Sequence, residues 1–147
     1  MSMEKHYRAL EKMYLSAPIN RFYNPRISVS NESAEIEIDV NEELFHVARA
    51  VHGSVYFKML DDAAFFAANS IEKDYFVLTV SFTIYLTRPI SAGCMKSIGK
   101  VVNKINTQII AEAIVYDGQG RELGRGSGIF VRGKLPLADA MGYADEM

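Results

Sequence analysis

The sequence predicts a single α+β domain in which an antiparallel sheet curls around one long central helix, with a short helix ahead of it. Three observations lead there. A stretch near residues 54–71 is apolar on nearly every helical face, so it must be enclosed on nearly every side. Segments with a period of two flank it on both sides, two before and four after. The chain of 147 residues, 49% hydrophobic, is one domain by length and has enough apolar content for a full core.

Residues 1–25 read as an N-terminal helix and connector. Tyr7, Leu10 and Tyr14 recur at three- and four-residue spacing between charged positions over Ser2 to Ser16. Pro18 and Pro25 then interrupt the pattern. From Arg26 the period falls to two. Ile27 and Val29, then Ala34, Ile36, Ile38 and Val40, alternate with polar residues about an Asn31-Glu32 turn, which describes a hairpin with one wet face. Asn41 to Val51 reads as a loop, and Ser54 to Ile71 is the enclosed helix.

Four further strands are predicted over Phe76–Thr87, Cys94–Val102, Gln108–Tyr116 and Glu122–Val131, with Asp117-Gly118-Gln119-Gly120 as a hairpin turn. Gly124, Gly126 and Gly128 share one face of the last strand, where another element can approach tightly. Residues 134–147 read as a loose C-terminal tail.

Composition narrows the function. Sixteen basic against eighteen acidic residues, net charge −2, argue against a nucleic-acid partner. No uncharged apolar run of about 18 residues appears, so no membrane span is expected. The N-terminus lacks an apolar signal segment, and Cys94 is the only cysteine, so the expectation is a cytoplasmic protein. Three scattered histidines and one cysteine make no metal-ligand spacing. The glycines near 124–128 lack the helix and Lys-Ser/Thr pair of a phosphate loop, and Ser54 lacks the elbow of a serine nucleophile.

Chemistry concentrates at Val51-His52-Gly53-Ser54 and at Asp61-Asp62. Gly53 and Ser54 open the helix, where backbone N–H groups have no intrahelical acceptor and can polarise a carbonyl. Ser54 is a competent helix cap. Two carboxylates in an otherwise apolar helix are costly, and adjacent positions differ by about 100° around the axis, so one functional and one structural aspartate are expected. Gly53 and Asp61 stand about 12 Å apart along the helix. One substrate carbon cannot touch both in a single chain. If they cooperate, the aspartate comes from a second subunit with an antiparallel helix, in a two-fold dimer.

His52-Gly53, Asp61 and Ala67-Ala68-Asn69-Ser70, with Phe82 to Pro89 and the Asp117–Arg121 and Gly124–Gly128 hairpin, resemble hotdog-fold thioesterases of the PaaI-like, phenylacetate-degradation type. The resemblance runs from about Glu35 to Val131. It implies a hotdog fold and hydrolysis of acyl-CoA, with no cofactor beyond the coenzyme A that enters with the substrate. It implies Asp61 as general base or nucleophile, Gly53 N–H as the carbonyl's partner across a dimer, and His52 near the carbonyl or leaving thiolate. Thr79 falls where the family places a hydroxyl that orients water. His46 stands where the family often has Asn, and Ser54 replaces the second Gly of His-Gly-Gly; both are read as substrate-binding.

The acyl group is expected to be aryl or medium-chain, against walls from Phe57, Met59 and Phe65, and the assembly a homodimer or homotetramer. A non-catalytic acyl-CoA-binding module is the alternative, though no room for an output domain precedes Arg26. A hotdog dehydratase is disfavoured because the required histidine five residues after Asp61 is Phe66.

Overall fold

A computed structural model describes residues 2–144. The N-terminal helix α1 (Met3–Ser16) begins where the Ser2 side chain accepts from Lys5 N–H, a capping bond of 3.2 Å. Its apolar face, led by Leu10, Met13 and Tyr14, is buried. After Pro18 comes a single turn, α2 (Asn20–Tyr23), closed by Asn24 in the left-handed region. Strands β1 (Arg26–Ser30) and β2 (Ser33–Asp39) form the expected hairpin, with Glu32 at φ 59° in the turn. A 3₁₀ turn (Glu42–Leu44) leads to the central helix α3 (Gly53–Ser70). The last four strands are β3 (Tyr75–Leu86), β4 (Cys94–Ile105), β5 (Gln108–Asp117) and β6 (Glu122–Pro136).

The six strands make one antiparallel sheet in the order β1-β2-β4-β5-β6-β3, wrapped about α3. Val55, Tyr56, Met59, Leu60 and the alanines 63, 64, 67 and 68 of α3 are all buried. Helix and sheet come close at Gly99 of β4, where a methyl group would strike the Ala63 carbonyl. The glycines of β6 permit the tight approach expected of them, and the element that makes it is β3. Gly126 and Gly128 make room for the Phe82 ring and the backbone of β3 beside them.

The two sheet edges are treated differently. At β1, the Glu11 carboxylate accepts from Val29 N–H (2.8 Å) and the Arg8 guanidinium donates to Val29 C=O (2.7 Å), so α1 covers that edge. The other edge, β3, has no strand beyond it and exposes Leu78, Val80, Tyr85 and Leu86.

The segment read as a loose tail is ordered as far as residue 144. Strand β6 continues to Pro136 because Tyr75 and Val77 of β3 pair with it there. Leu137 is buried, and the Tyr143 hydroxyl lies 2.7 Å from His6 Nδ1 of α1. His6 Nε2 donates to Asn69 C=O at 2.9 Å, so Nδ1 is left to accept from Tyr143. Residues 145–147 of that segment lie outside the described residues. No helix among the described residues is long and apolar enough to cross a membrane.

Candidate active site

The loop before α3 is shaped by an isolated bridge between Phe45 and Val51, with Arg49 at φ 66° at its tip. It delivers His52 in extended conformation as the N-cap of α3. His52 Nδ1 accepts from Ser54 N–H at 3.0 Å and lies 2.8 Å from Ser54 Oγ. The cap is therefore the histidine, and Ser54, inside the first turn, is its client. A backbone N–H can only donate, so Nδ1 is the bare nitrogen and the ring carries its proton on Nε2. His46 Nδ1 likewise accepts from Ala48 N–H at 3.1 Å, and the two rings meet edge to face, centroids 6.4 Å apart. Gly53 is the first residue of α3, and its N–H has no intrahelical acceptor.

Two turns further on, the aspartates divide as their angular separation requires. Asp62 turns toward α1, where its Oδ2 accepts from the Tyr14 hydroxyl (2.7 Å) and from Lys58 Nζ (2.8 Å). Lys58 also lies over the Tyr14 and Tyr23 rings, 5.5 and 5.1 Å from their centroids. Burial, then the Asp62 carboxylate, holds the Tyr14 hydroxyl far above the usual tyrosine range. Asp61 turns toward β3, where Thr79 Oγ1 donates to its Oδ1 at 3.0 Å. Burial pushes the Asp61 carboxyl up to about 6; the Thr79 bond and Lys58 act against that rise, and Asp62 adds to it. Thr79 sits at a break in the β3–β6 register between Thr79 and Ser81, the kind of irregularity that re-aims a side chain.

Asp61 and Thr79 border a cavity of about 610 Å³ whose walls are mainly apolar. Of the three residues expected to line an acyl site, Phe65 does. Met59 is core, since it faces the sheet, and Phe57 is half-exposed against Phe82 on another side of α3. Phe66 lines it as well, a residue the sequence offers as core first and acyl-pocket wall second, and so do Phe76 and Tyr14.

The candidate residues thus form two groups at separate stations of one helix. His46, His52, Gly53 and Ser54 stand at its start, and Asp61 with Thr79 near its middle. Asn69, part of the motif block, is a structural residue. It is fully buried, donates to the carbonyls of Glu72 and Tyr75, and accepts from Val77 N–H, which fixes the turn from α3 into β3. Burial and the neighbouring Glu37 raise the Cys94 thiol above its usual range, which disfavours the thiolate. Among the described residues, no three His, Cys, Asp or Glu side chains gather as a metal site.

The thioesterase superfamily model matches residues 49–123, the span that carries His52, Gly53, Asp61 and Thr79. A search of curated proteins finds no match. Among solved structures, the chain resembles the PaaI protein of the E. coli phenylacetic acid degradation operon, at 17% identity and a TM-score of 0.83, covering 91% of this chain and 97% of that one. It also resembles AziG of S. sahachiroi (20% identity, TM-score 0.75, 82% and 99% covered). The thioesterase HI1161 of Haemophilus influenzae is a further match (13% identity, TM-score 0.76, 84% and 88% covered). At such identities these likenesses establish the fold, a hotdog fold like that of the PaaI protein, and the family model adds the lineage: the chain belongs to the thioesterase superfamily.

Proposed function

We propose that this protein hydrolyses acyl-CoA thioesters in a two-fold dimer, each site combining Asp61 and Thr79 of one subunit with His52 and Gly53 of the other. The observation that carries this reading is the division of the site along α3. A hydrogen-bonded Asp61–Thr79 pair and a helix end with a free N–H lie about 12 Å apart beside an uncovered edge strand. Thr79 is close to Asp61, and Leu86 is close to Gly53, so α3 runs antiparallel to β3. Pairing β3 with β3 of a second copy about the Phe82–Thr83 midpoint sets Thr79 opposite Leu86 of that copy. Each Asp61 then comes near the other subunit's Gly53. The pairing also covers the exposed Leu78, Val80 and Tyr85.

The chemistry follows from these groups. Ionised Asp61, steadied by Thr79, takes a proton from water as the oxygen attacks the thioester carbon. The negative charge formed on the carbonyl oxygen falls at the Gly53 N–H and the positive end of α3. When the C–S bond breaks, the thiolate takes up the proton and the acid and free coenzyme A depart. Direct attack by Asp61, through an anhydride that water then opens, uses the same atoms. His52, holding its proton on Nε2, supports the helix end through Nδ1, and His46 backs its ring. Ser54 offers a hydroxyl at the same rim. The uncovered edge and the lone cysteine agree with a homo-oligomer working in the cytoplasm.

The test is thiol release from a panel of short, long and aryl acyl-CoAs, with wild type beside Asp61→Asn. Turnover that Asp61→Asn loses while the dimer persists supports hydrolysis. Tight acyl-CoA binding without turnover of any thioester would instead identify an acyl-CoA-binding module.

A further inference from the structure

The cavity beside Asp61 is built from two sources. Asp61, Thr79, Phe65, Phe66 and Phe76 lie within the span that matches the family model, residues 49–123. Met13 and Tyr14 of α1, together with Leu135, Ala140 and Met141 after the body of β6, lie outside it. The outer walls are thus supplied by the two ends of the chain, which the His6–Tyr143 hydrogen bond ties together. Met13, Tyr14 and Phe66 are buried and form the floor, while Leu135 and Met141 are exposed at the rim.

We propose that this cavity takes an unbranched aliphatic acyl chain, and that α1 and the segment 135–141 set the length it accepts. The inference rests on the thioesterase reading, since the carbonyl must lie at Asp61 for the chain to enter. Phe65 follows Asp61 by one helical turn, about 6 Å along α3, so a chain leaving the reacting carbon meets its ring directly. Phe65 packs against Phe66 and Phe76, centroids 5.2 and 5.0 Å away, giving a continuous apolar wall.

Volume then chooses between acyl classes. The cavity opens to solvent, so at about 30 Å³ per non-hydrogen atom, a water's share of liquid volume, its 610 Å³ sets a ceiling of roughly twenty atoms. A phenylacetyl group has about nine, and would leave more than half the space without dispersion contacts. A chain of about ten to fourteen carbons fills it far better, allowing for looser packing around a mobile ligand. The two methionines on the wall are flexible and adapt to a bent chain more readily than to a flat ring. Tyr14 is paired with Asp62 and Asn20 Nδ2 with Tyr14 C=O, which leaves the buried Asn20 Oδ1 as the one unmatched polar side-chain atom among the described lining residues, against a mainly apolar wall.

The test compares wild type, Met13→Trp and Met141→Trp on acyl-CoAs from four to sixteen carbons and on phenylacetyl-CoA. Wild type is expected to peak between about ten and fourteen carbons. Each tryptophan should lower the kcat/KM ratio of fourteen- to six-carbon substrate by about tenfold or more, the scale of a few displaced methylenes. Met141 is exposed, so its variant folds even where the Met13 variant does not. Binding of a non-hydrolysable dodecyl-CoA thioether to Asp61→Asn is measured by calorimetry with and without Met141→Trp. Turnover with an unchanged length profile in both variants, or a preference for phenylacetyl-CoA, overturns the pocket and leaves the hydrolase standing. Thioether binding weakened by Met141→Trp in a protein that hydrolyses nothing overturns the hydrolase and leaves the pocket.

Discussion

Thr79 Oγ1 donates a 3.0 Å hydrogen bond to Asp61 Oδ1 across the gap between β3 and α3, against the burial that drives the same carboxyl up to about 6. Asp62, one residue on, pushes Asp61 in the upward direction. The two neighbours therefore act oppositely on one proton. As a base, Asp61 must be ionised, so kcat/KM should rise with pH through about 6 in wild type. Thr79→Ala should move that acid limb upward and Asp62→Asn should move it downward. A pH–rate profile of the three proteins decides it, and shifts of the same sign in both variants would contradict the assignment.

The same shift has a stability consequence of definite sign. Because the folded carboxyl binds its proton more tightly than the unfolded one, the fold loses stability as pH rises from about 3.8 to about 6. Asp61→Asn removes that loss. After allowance for solvent screening, it should be about 1–2 kcal/mol more stable than wild type at neutral pH while inactive. Urea denaturation at pH 7 reads the difference; a destabilised Asp61→Asn would contradict it.

Gly53 offers an unusually clean deletion of one donor. It is the first residue of α3, where proline is well tolerated, and His52 before it is already extended at φ −64°, ψ 144°. Gly53→Pro should fold, keep the dimer and lose kcat by about 10²-fold or more. Mixed with Asp61→Asn, it should regain about a quarter of wild-type activity, because each heterodimer restores one complete site. If both groups acted within one chain, the mixture would stay inactive.

His6 is fully buried, and burial lowers its affinity for a proton below the ordinary value of 6.5. Protonation therefore favours the unfolded chain. Stability contributed here is complete above about pH 6.5 and is lost as the pH falls toward the lower folded value. Tyr143→Phe leaves His6 Nδ1 buried without this donor and should cost about 1–3 kcal/mol. Thermal melts between pH 5 and 8 in an Asp61→Asn background, which removes the opposing trend, check both statements: a flat Tm there counts against the first, and a Tyr143→Phe Tm equal to its parent's counts against the second.

Gly99→Ala should be the most damaging methyl group in the sheet. It meets the Ala63 carbonyl and Ala64 nitrogen, backbone atoms that cannot swing aside. The expected cost is about 2–3 kcal/mol, or failure to fold. Gly118→Ala is the control, since its methyl would only touch Cys94 Sγ at 3.4 Å. Equal melting temperatures would refute the close contact.

Much of this architecture was legible because its signals are local. Period-two runs marked β1 and β2, the Asp117–Gly120 turn marked the β5–β6 hairpin, and the nearly all-apolar α3 demanded enclosure. The division between Asp61 and Asp62 followed from helical angle alone. What escaped depended on distant pairings. The length of β6 and the docking of residues 137–144 are set by β3 and His6, far away in sequence, so small residues after Lys134 looked unattached. Gly99 sits unremarked between Ile98 and Lys100, whereas the repeated glycines of β6 announce a close approach, which β3 and its Phe82 ring make. The histidine cap was hidden behind a serine with a better intrinsic preference for that position.

The His6–Tyr143 bond joins α1 to the last described turn, and both of these segments wall the cavity while Asp61 and Thr79 belong to the stretch of sequence between them. Under the proposed function, reactivity and selectivity are written in different stretches of the gene. Drift or exchange of the terminal stretches can retune what is accepted without disturbing the atoms that cleave it.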